Sequence, residues 1–394
     1  MTDRGQKPTR VLYVSSMLHA PDYAELFQNA PHPPSQATQK YGELLVAGLN
    51  AAGAEVVALC APPVSHRFGA RFLHLHRETD AGVRYRYLPV VDLPGIKFAV
   101  TWLCAFLWTL PRCLVKRARV LCYGLNVSAA GGARAAARLT RTPASVIVSD
   151  VPEQLGGGRL MKIAQRALTA YDGYVLLTEA MNDLVNPHAK PFIVLEGQAD
   201  ARMAARDNPL SHKRAERTVL YAGMLHAKYG VLRLVEAFSS LPGDDIRLVL
   251  YGTGDAEDAI RAAAKQDARI EFRGVAENAA VVTEEIAATL LVNPRPSDEL
   301  FTRFSFPSKN LEYMASGTPL LTTDLPGMPE EYRAYVYLFH DETVAGMAET
   351  LKRVLSLPRE TLHEKGASAK AFVTAEKSNV AQAKRLLDFL EGLA

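Results

Sequence analysis

The chain lacks the motifs of several common enzyme classes. Its four cysteines among 394 residues have no metal-type spacing, and no Cys-x-x-Cys or His-x-x-x-His pair occurs, so zinc and dithiol chemistry have no support. No Gly-x-Gly-x-x-Gly follows the first predicted strand, which argues against a dinucleotide-dependent oxidoreductase. No Ser-His-Asp order indicates a hydrolase. The cysteines lie among apolar neighbours, so we expect buried thiols in a reducing compartment.

A hydrophobic run long enough to span a membrane is also missing. The apolar run Phe98–Leu110 has 13 residues, whereas a spanning helix needs about 20. The N-terminus has no apolar segment typical of a secretory signal, so we expect a cytoplasmic protein. The run contains two tryptophans and is followed by Arg112, Lys116, Arg117 and Arg119. Such a helix can lie at the inner surface of the cell membrane or be buried in a domain, and both interpretations stay open.

Size and charge narrow the remaining classes. A chain of 394 residues with 48% hydrophobic and 22% charged residues is typical of a globular protein with two domains. The net charge of +3 is unevenly distributed, because residues 1–195 carry 21 Lys and Arg against 13 Asp and Glu, and the remainder carries 24 against 29. A basic N-terminal half favours a phosphate-bearing substrate or an acidic lipid surface as partner over nucleic acid.

Predicted strands alternate with predicted helices in two series. The first series begins with strand Arg10–Ser16, a long loop, helix Ser35–Ala52 and strand Glu55–Cys60. It continues with strands Val146–Val148 and Tyr174–Leu177. The strands of the second series are Thr218–Tyr221, Leu248–Tyr251, Ile270–Arg273, Leu290–Asn293 and Leu320–Thr323. Repeated strand–helix–strand units predict two α/β domains with parallel sheets, joined by a polar linker at 200–217. An amphipathic helix is predicted over Ala371–Leu393.

The most informative segment is Phe304–Pro319. It predicts a helix with Pro307 at its first position and Gly317 just past its end. A helix N-terminus offers free N–H groups and a positive dipole end to phosphate, and Lys309 adds a cation there. Glu312, one turn further, can accept two hydroxyl hydrogen bonds. A nucleotide carries a phosphate beside the two hydroxyls of its ribose, so the segment predicts a nucleoside-diphosphate site.

This segment resembles the donor-binding segment of family 4 retaining glycosyltransferases of the GT-B fold. It is similar to the capsule and exopolysaccharide type, with Phe-Pro-Ser-Lys-x-x-Glu-Tyr-Met-Ala-Ser-Gly-x-Pro. The resemblance implies an α/β GT-B protein in which two Rossmann-like domains face each other across a cleft. Residues 1–195 would form the acceptor-side domain, with helix 375–394 packing back on it, and residues 196–374 the nucleotide-sugar domain.

The resemblance also assigns roles within the segment. Glu312 matches the second acid of the family's Glu-x7-Glu motif, which implies a contact to the ribose hydroxyls. The first acid is replaced by Phe304, and Glu299 on the preceding loop is the candidate substitute. Ser308 and Lys309 would meet the donor phosphates. The other large glycosyltransferase fold carries a metal-binding Asp-x-Asp, which is missing here, so we expect a metal-independent enzyme without a cofactor.

A second segment, Tyr221–Gly230, resembles the start of the family's nucleotide-binding domain. Gly223 matches the glycine that ends the first strand, but Met224 stands where the family usually has an Arg and Tyr229 where it has a Lys. Lys228 is therefore the nearby cation expected to grip the diphosphate together with the lysine of the first segment.

The resemblance also implies three further donor contacts in this domain, one sugar contact in the first domain and a hinge near the domain boundary. Gly252, Gly254 and Arg273 lie at the ends of predicted strands, where the family binds the base and ribose. Asp150 takes the place of a residue that touches the donor sugar, although it also suits a helix N-cap. Gly197 is the candidate hinge for domain closure.

The expected function is transfer of a sugar, with retention, from a nucleoside-diphosphate sugar to an acceptor hydroxyl. The acceptor is expected to be a saccharide or lipid-linked saccharide in the synthesis of cell-surface polysaccharide or glycolipid. Two alternatives stay open because Phe304 and Met224 depart from the family pattern. One is a non-catalytic nucleotide-sugar-binding subunit, and the other is a nucleotide-sugar epimerase, which needs no acceptor.

Overall fold

The structure is a computed structural model that describes residues 8–28, 36–63, 72–73, 75, 78–93, 95–124, 126–150 and 166–393. The chain divides into two compact units. The first comprises Met1–Gln198 and Asn379–Ala394, and the second comprises Ala199–Ser378. The sequence analysis predicts the two boundaries after residues 195 and 374, three and four residues earlier than observed.

The first unit is built on a mostly parallel sheet. Its strands are β1 Arg10–Ser15, β2 Glu55–Cys60, β3 Phe72–Leu73, β4 Glu78–Asp80, β5 Val83–Tyr87, β6 Val90–Val91, β7 Ala118–Tyr123, β8 Ala144–Val148, β9 Gly173–Leu176 and β10 Phe192–Val194. Eight strands pair in the order β10-β9-β8-β7-β1-β2-β5-β4, and β3 pairs with β6. All pairs in the large sheet are parallel except β4–β5. The central strands are buried on both faces, which explains their continuous Val and Leu runs.

Helices cover the sheet of the first unit. They are α1 Ala20–Phe27, α2 Gln36–Ala51, α3 Lys97–Cys113, α4 Val127–Thr140, α5 Asn182–Val185 and, from the C-terminus, α13 Asn379–Gly392. Helix α13 packs closely against α2, since a side chain at Gly48 would overlap the carbonyl oxygen of Asn379. Leu386 and Leu390 of α13 are fully buried in the core of this unit. The C-terminal helix thus belongs to the first unit although it follows the second in sequence.

Helix α3 contains the apolar run noted in the sequence, and its two faces differ. One face is buried against α4, where a side chain at Gly132 would overlap the carbonyl oxygen of Trp102. The other face leaves Phe98, Leu103 and Leu107 between 50% and 61% exposed. The run is therefore partly buried in the domain, and a membrane contact of its exposed face stays a prediction. In the described part of the chain, no helix is both long and apolar enough to cross a membrane.

The second unit contains a fully parallel sheet. Its strands are β11 Arg217–Ala222, β12 Ile246–Tyr251, β13 Ile270–Gly274, β14 Leu290–Asn293, β15 Leu320–Thr323 and β16 Tyr337–Phe339, and its helices are α6 Ala201–Ala204, α7 Val231–Ser239, α8 Glu257–Gln266, α9 Asn278–Ala287, α10 Ser308–Ser316, α11 Val344–Leu355 and α12 Arg359–Glu376. The strand order is β13-β12-β11-β14-β15-β16. Each unit is thus a Rossmann-like α/β domain, which confirms the predicted fold class.

Three local predictions are wrong. The predicted loop after β1 contains α1, whose first turn has the Pro and Asp typical of a helix start. The predicted single C-terminal helix is broken between α12 and α13, because the carbonyl of Lys377 accepts a hydrogen bond from the N–H of Ala199, 2.8 Å away, and its ammonium pairs with Glu331. Pro307 is the N-cap of α10 and precedes its first turn instead of lying in it.

Candidate functional site

The second sheet has a topological switch point between β11 and β14. From β11 the chain continues to β12 on one side, and β14 lies on the other. Ligands of open α/β sheets bind in the crevice at the carboxyl ends of two such strands. Here the loops that leave these ends touch each other, because Gly230, at φ 79°, lies so close that a side chain would overlap the carbonyl oxygen of Pro294.

Two buried polar side chains fix α10 at this switch point. The Tyr313 hydroxyl donates to the carbonyl of Ala222 over 3.0 Å and accepts the N–H of Ala222 over 2.7 Å, so it holds α10 against the end of β11. The Asn293 amide, at the end of β14, donates to Asn310 over 2.6 Å. The sequence analysis missed the roles of Asn310 and Tyr313, although their three-residue spacing places both on one face of the helix.

Among the described residues, no side chain caps the N-terminus of α10. Ser308, its first residue, is exposed, and the Pro307 N-cap has no side-chain oxygen to accept the first-turn N–H groups. These N–H groups carry the positive end of the helix dipole. Position and exposure therefore suit the predicted phosphate contact at Ser308.

Lys309 and Glu312 belong to a partly buried charge cluster between α9 and α10. The Lys309 ammonium lies 2.8 Å from Glu312 Oε1 and 3.5 Å from Oε1 of Glu285, a carboxylate with 0% exposure. The Asn278 amide also approaches Glu312 Oε1, at 3.5 Å. Burial alone would lower the pKa of Lys309, but the Glu312 and Glu285 carboxylates outweigh it and raise that pKa. In this arrangement Lys309 neutralises and orients the predicted ribose ligand Glu312. The sequence analysis missed Glu285.

A second cation lies at the end of β14 and was also missed. The Arg295 guanidinium stacks 4.6 Å from the ring centre of Tyr229 and 5.5 Å from that of Phe301. Arg295 has no ion-pair partner among the described residues, and its Nε is buried without a hydrogen bond to any of them. Burial lowers the pKa of Arg295, although a guanidinium stays charged at neutral pH. The exposed Lys228 ammonium lies over the same two rings, at 5.2 and 5.9 Å.

The packing of two neighbouring loops requires glycine at the two positions after β12. A side chain at Gly252, at φ 131°, would overlap the carbonyl oxygen of Gly223, and one at Gly254 would overlap that of Leu225. The two loops run side by side, with the Leu225 N–H 2.9 Å from the Thr253 carbonyl. The group that approaches these glycines closely is therefore the backbone of the loop after β11. A donor contact at these glycines, and at Gly223, stays a prediction.

The remaining predicted donor residues are more peripheral. Arg273, on the edge strand β13, is exposed and donates from Nε to Glu271 over 3.0 Å, and the Glu271 carboxylate raises its pKa. Glu299 is exposed and precedes a 3-10 turn, Leu300–Phe304, while Met224 is 56% exposed. The geometry brings Arg273 to the end of its strand but two strands away from the switch point.

Two predicted residues lie in the first unit. Asp150 is exposed just after β8 and accepts a 3.0 Å hydrogen bond from the Ser149 hydroxyl. The helix that Asp150 would cap was predicted after residue 152, which is outside the described residues. Gly197 lies next to the boundary between the units, and its carbonyl accepts a 3.0 Å hydrogen bond from Gln382. Roles for Asp150 in sugar contact and for Gly197 as a hinge stay predictions.

Cysteines and acids give no second catalytic cluster in the part of the chain that is described. Cys60, Cys113 and Cys122 are buried, and burial raises the pKa of each, for Cys122 to about 12. Cys104 is half-buried. Within the described residues, no group of three His, Cys, Asp or Glu side chains is placed to hold a metal ion.

Comparison with protein families gives a match for each unit. The model described as glycosyl transferases group 1 matches residues 216–356, and the model of a glycosyl transferase 4-like domain matches residues 37–189. Together the two matches span most of the chain, which is a glycosyltransferase with a group 1 domain in its second unit. The first match contains the switch point, α10 and the Arg295 cluster, so the candidate site lies in the family's own domain. A comparison with curated proteins finds no match.

Solved structures of similar fold extend over the whole length of this glycosyltransferase. Sucrose-phosphate synthase from Thermosynechococcus elongatus is 16% identical, with a TM-score of 0.67 over 98% of this chain and 100% of that one. HepE from Anabaena, in complex with UDP and glucose, is 12% identical, with a TM-score of 0.61 over 98% and 100%. The catalytic domain of starch synthase IV from Arabidopsis thaliana, bound to ADP and acarbose, is 12% identical, with a TM-score of 0.66 over 98% and 99%. At these identities the likeness establishes the fold, which is GT-B.

Proposed function

We propose that this glycosyltransferase moves a sugar from a nucleoside-diphosphate sugar to an acceptor hydroxyl with retention at the anomeric carbon. The observation that carries the proposal is the cluster of Lys309, Glu312 and Glu285 beside the uncapped N-terminus of α10. A single nucleotide bound at the switch point between β11 and β14 would place its phosphate at the helix N-terminus and its ribose hydroxyls at Glu312. HepE and starch synthase IV, whose structures contain UDP and ADP, support a nucleotide donor.

The leaving diphosphate needs positive charge, and the site offers a source for it. Because Lys309 is held by two carboxylates, we assign the phosphate charge mainly to the first-turn N–H groups of α10 and to Arg295 and Lys228. Preorganised donors aimed at developing charge commonly make the largest contribution to catalysis. These groups would stabilise the leaving group without a metal ion or other cofactor, and full activity in the presence of a chelator tests this.

The acceptor side belongs to the same proposal. We assign a saccharide or lipid-linked saccharide acceptor and a role in synthesis of cell-surface polysaccharide or glycolipid. Support comes from the exposed apolar face of α3, where Phe98, Leu103 and Leu107 are at least half exposed, and from the cations that follow it. Such a helix lies in a membrane interface and would bring the enzyme to a lipid-linked acceptor at the inner face of the membrane.

The first experiment is calorimetric titration of UDP, GDP and ADP into wild type, Glu312→Ala and the control Glu349→Ala. Glu349 is an exposed glutamate on α11, away from the switch point. We expect one nucleotide to bind, Glu312→Ala to weaken it at least about tenfold, or about 1.4 kcal/mol, and the control to bind normally. Failure of all three nucleotides, or equal binding by Glu312→Ala, would contradict the proposal.

A second experiment separates transfer from the alternatives. The nucleoside-diphosphate sugar of the base that binds is incubated with and without saccharide acceptors, and NMR follows the anomeric configuration of the product. Transfer with retained configuration is expected. Binding without any turnover would instead indicate a non-catalytic subunit, and conversion of the donor without acceptor would indicate an epimerase.

A further inference from the structure

A cavity of about 500 Å³ lies in the first unit, at the amino ends of the strands of its large sheet. It is formed by the end of α4, by the residues that precede β8 and β9, and by the turn before β10. It therefore shares no residue with the proposed donor site at the switch point of the second sheet.

The cavity is strongly basic. Arg134, Arg138, Arg141 and Lys190 all line it, against the single carboxylate of Asp172. That carboxylate already accepts the N–H of Ala144, at 3.0 Å. In the described part of the chain, none of the four cations has an ion-pair partner. Four like charges around one concave space repel each other, and an anion bound among them removes that repulsion.

Arg134 shows unused hydrogen-bonding capacity in this cavity. Its guanidinium lies 5.6 Å from the ring centre of Tyr171, and one terminal nitrogen donates to the carbonyl of Ala170 over 3.3 Å. Its Nε is buried and has no hydrogen-bond partner among the described residues. A buried N–H without an acceptor costs free energy. The terminal N–H groups of Arg134, which lines the cavity, are the ones that can pair with an oxyanion there.

One residue that lines the cavity, and another between two lining residues, adopt backbone conformations that favour glycine. Arg141, which ends α4, has φ 57°, and Ala189, between His188 and Lys190, has φ 46°. An arginine at a position where glycine is the easiest residue costs backbone free energy. Its presence there is explained if the side chain has a ligand.

We propose that this cavity binds a phosphate group, held by Arg138, Arg141 and Arg134. Guanidinium groups match phosphate oxygens with paired hydrogen bonds, which makes a phosphate monoester or diester the best chemical match. The Thr142 hydroxyl, also in the cavity wall, donates to the carbonyl of Cys113, the last residue of α3, over 3.0 Å. Leu114, which follows α3 and is 73% exposed, therefore adjoins the cavity. The phosphate can thus come from a lipid headgroup or from a soluble molecule.

The test uses the full chain, a double variant Arg138→Gln with Arg141→Gly, and the control Arg353→Gln. Glycine at position 141 removes the charge and relieves the backbone, so thermal stability should be retained. Arg353 is an exposed arginine of the second unit with no ion pair among the described residues. The probes are pyrophosphate in calorimetry, and sedimentation with vesicles of phosphatidylglycerol or phosphatidylcholine.

We expect the double variant to bind pyrophosphate at least tenfold more weakly than wild type and the control to bind it normally. The binding component belongs to the cavity if it persists in Arg295→Met, which alters only the proposed donor site. Binding to phosphatidylglycerol vesicles that depends on the two arginines, without binding of pyrophosphate, supports the cavity with a lipid headgroup as its ligand. The proposal is overturned if wild type binds neither probe, or if the double variant binds both as tightly as wild type. Because pyrophosphate can also enter the proposed donor site, wild type and the double variant are compared again with Arg295→Met in both, and only the binding lost with Arg138 and Arg141 is assigned to the cavity. Nucleotide binding, which reports on the donor site, is measured separately with Glu312→Ala.

Discussion

The charge cluster on α10 makes a quantitative prediction for Lys309→Met. This substitution keeps the length of the buried stem but leaves Glu285 and Glu312 without their shared cation. At an effective dielectric constant of about 20, charges at the two observed distances of 2.8 and 3.5 Å attract by roughly 6 and 5 kcal/mol. Most of this attraction offsets the cost of removing the fully buried Glu285 carboxylate from water.

Removing one partner of a buried ion pair typically costs about 3–5 kcal/mol, because the remaining charge stays desolvated. We therefore expect Lys309→Met to lower the free energy of unfolding by about that amount, measured by urea denaturation at pH 7. Glu285→Gln combined with Lys309→Met should recover a large part of the loss, because the amide carries no charge. The double-variant cycle then gives the coupling between the two residues.

Lys228→Met is the matched control, since Lys228 is exposed, lies over two rings and has no ion-pair partner within 4 Å among the described residues. It should change stability by less than about 0.5 kcal/mol. A loss below about 1 kcal/mol for Lys309→Met, or no recovery in the double variant, would refute the conclusion that Lys309 neutralises the two carboxylates. Its position would then leave it available to bind donor phosphate directly.

Three further predictions follow from the geometry. Gly252→Ala should destabilise the second unit by about 1–3 kcal/mol from backbone strain alone, and by more from overlap with the neighbouring loop, as measured by thermal denaturation. Burial lowers the pKa of Lys213 to about 7 from its ordinary 10.5, so the unfolded chain binds one more proton between pH 7 and 10. Stability should therefore rise with pH in this window by about 1.4 kcal/mol per unit from this group, and Lys213→Met should remove that slope in urea denaturation. Arg295→Met should weaken nucleoside-diphosphate binding by about 1.5–3 kcal/mol, the usual worth of a charge-assisted hydrogen bond, in calorimetry.

Each of these has a contrary result, and the first also has a control. Gly392→Ala meets no atom within 4 Å at the end of α13 and should be neutral or stabilising; equal effects of the two alanines would contradict the overlap. An unchanged pH slope in Lys213→Met would show that the group is charged when folded. For Arg295, unchanged diphosphate affinity with normal folding would remove it from the proposed phosphate contacts.

Local sequence pattern predicted much of the framework. Strands β2, β14 and β15 begin and end where the apolar runs predict. Helix α10 ends at Ser316, just before Gly317, whose φ of 79° lies in the left-handed region that favours glycine. These features depend on neighbours within one turn or one strand, so the sequence contains their cause. Strand β5 was missed even though Val-Arg-Tyr-Arg-Tyr alternates with the period of a half-buried strand.

The candidate site was only partly predictable. Ser308, Lys309 and Glu312 follow from one helical turn, so their proximity was visible in the sequence. Glu285 reaches the cluster from a different helix, and Arg295 meets the ring of Tyr229 from a loop 66 positions later in the chain. A contact between distant segments is set by how the elements pack, and local spacing contains no signal for it.

The sequence by itself thus determined two α/β domains, the helix at whose N-terminus we predict a phosphate, and the resemblance to a sugar-transferring family through one sixteen-residue segment. The tertiary structure decided which charges meet. It paired Lys309 with two carboxylates, left Arg295 without one in the described chain, and gathered four cations around the cavity in the first unit. The physical reason is that electrostatic energy depends on distance and burial, and both are fixed only when helices and strands have packed.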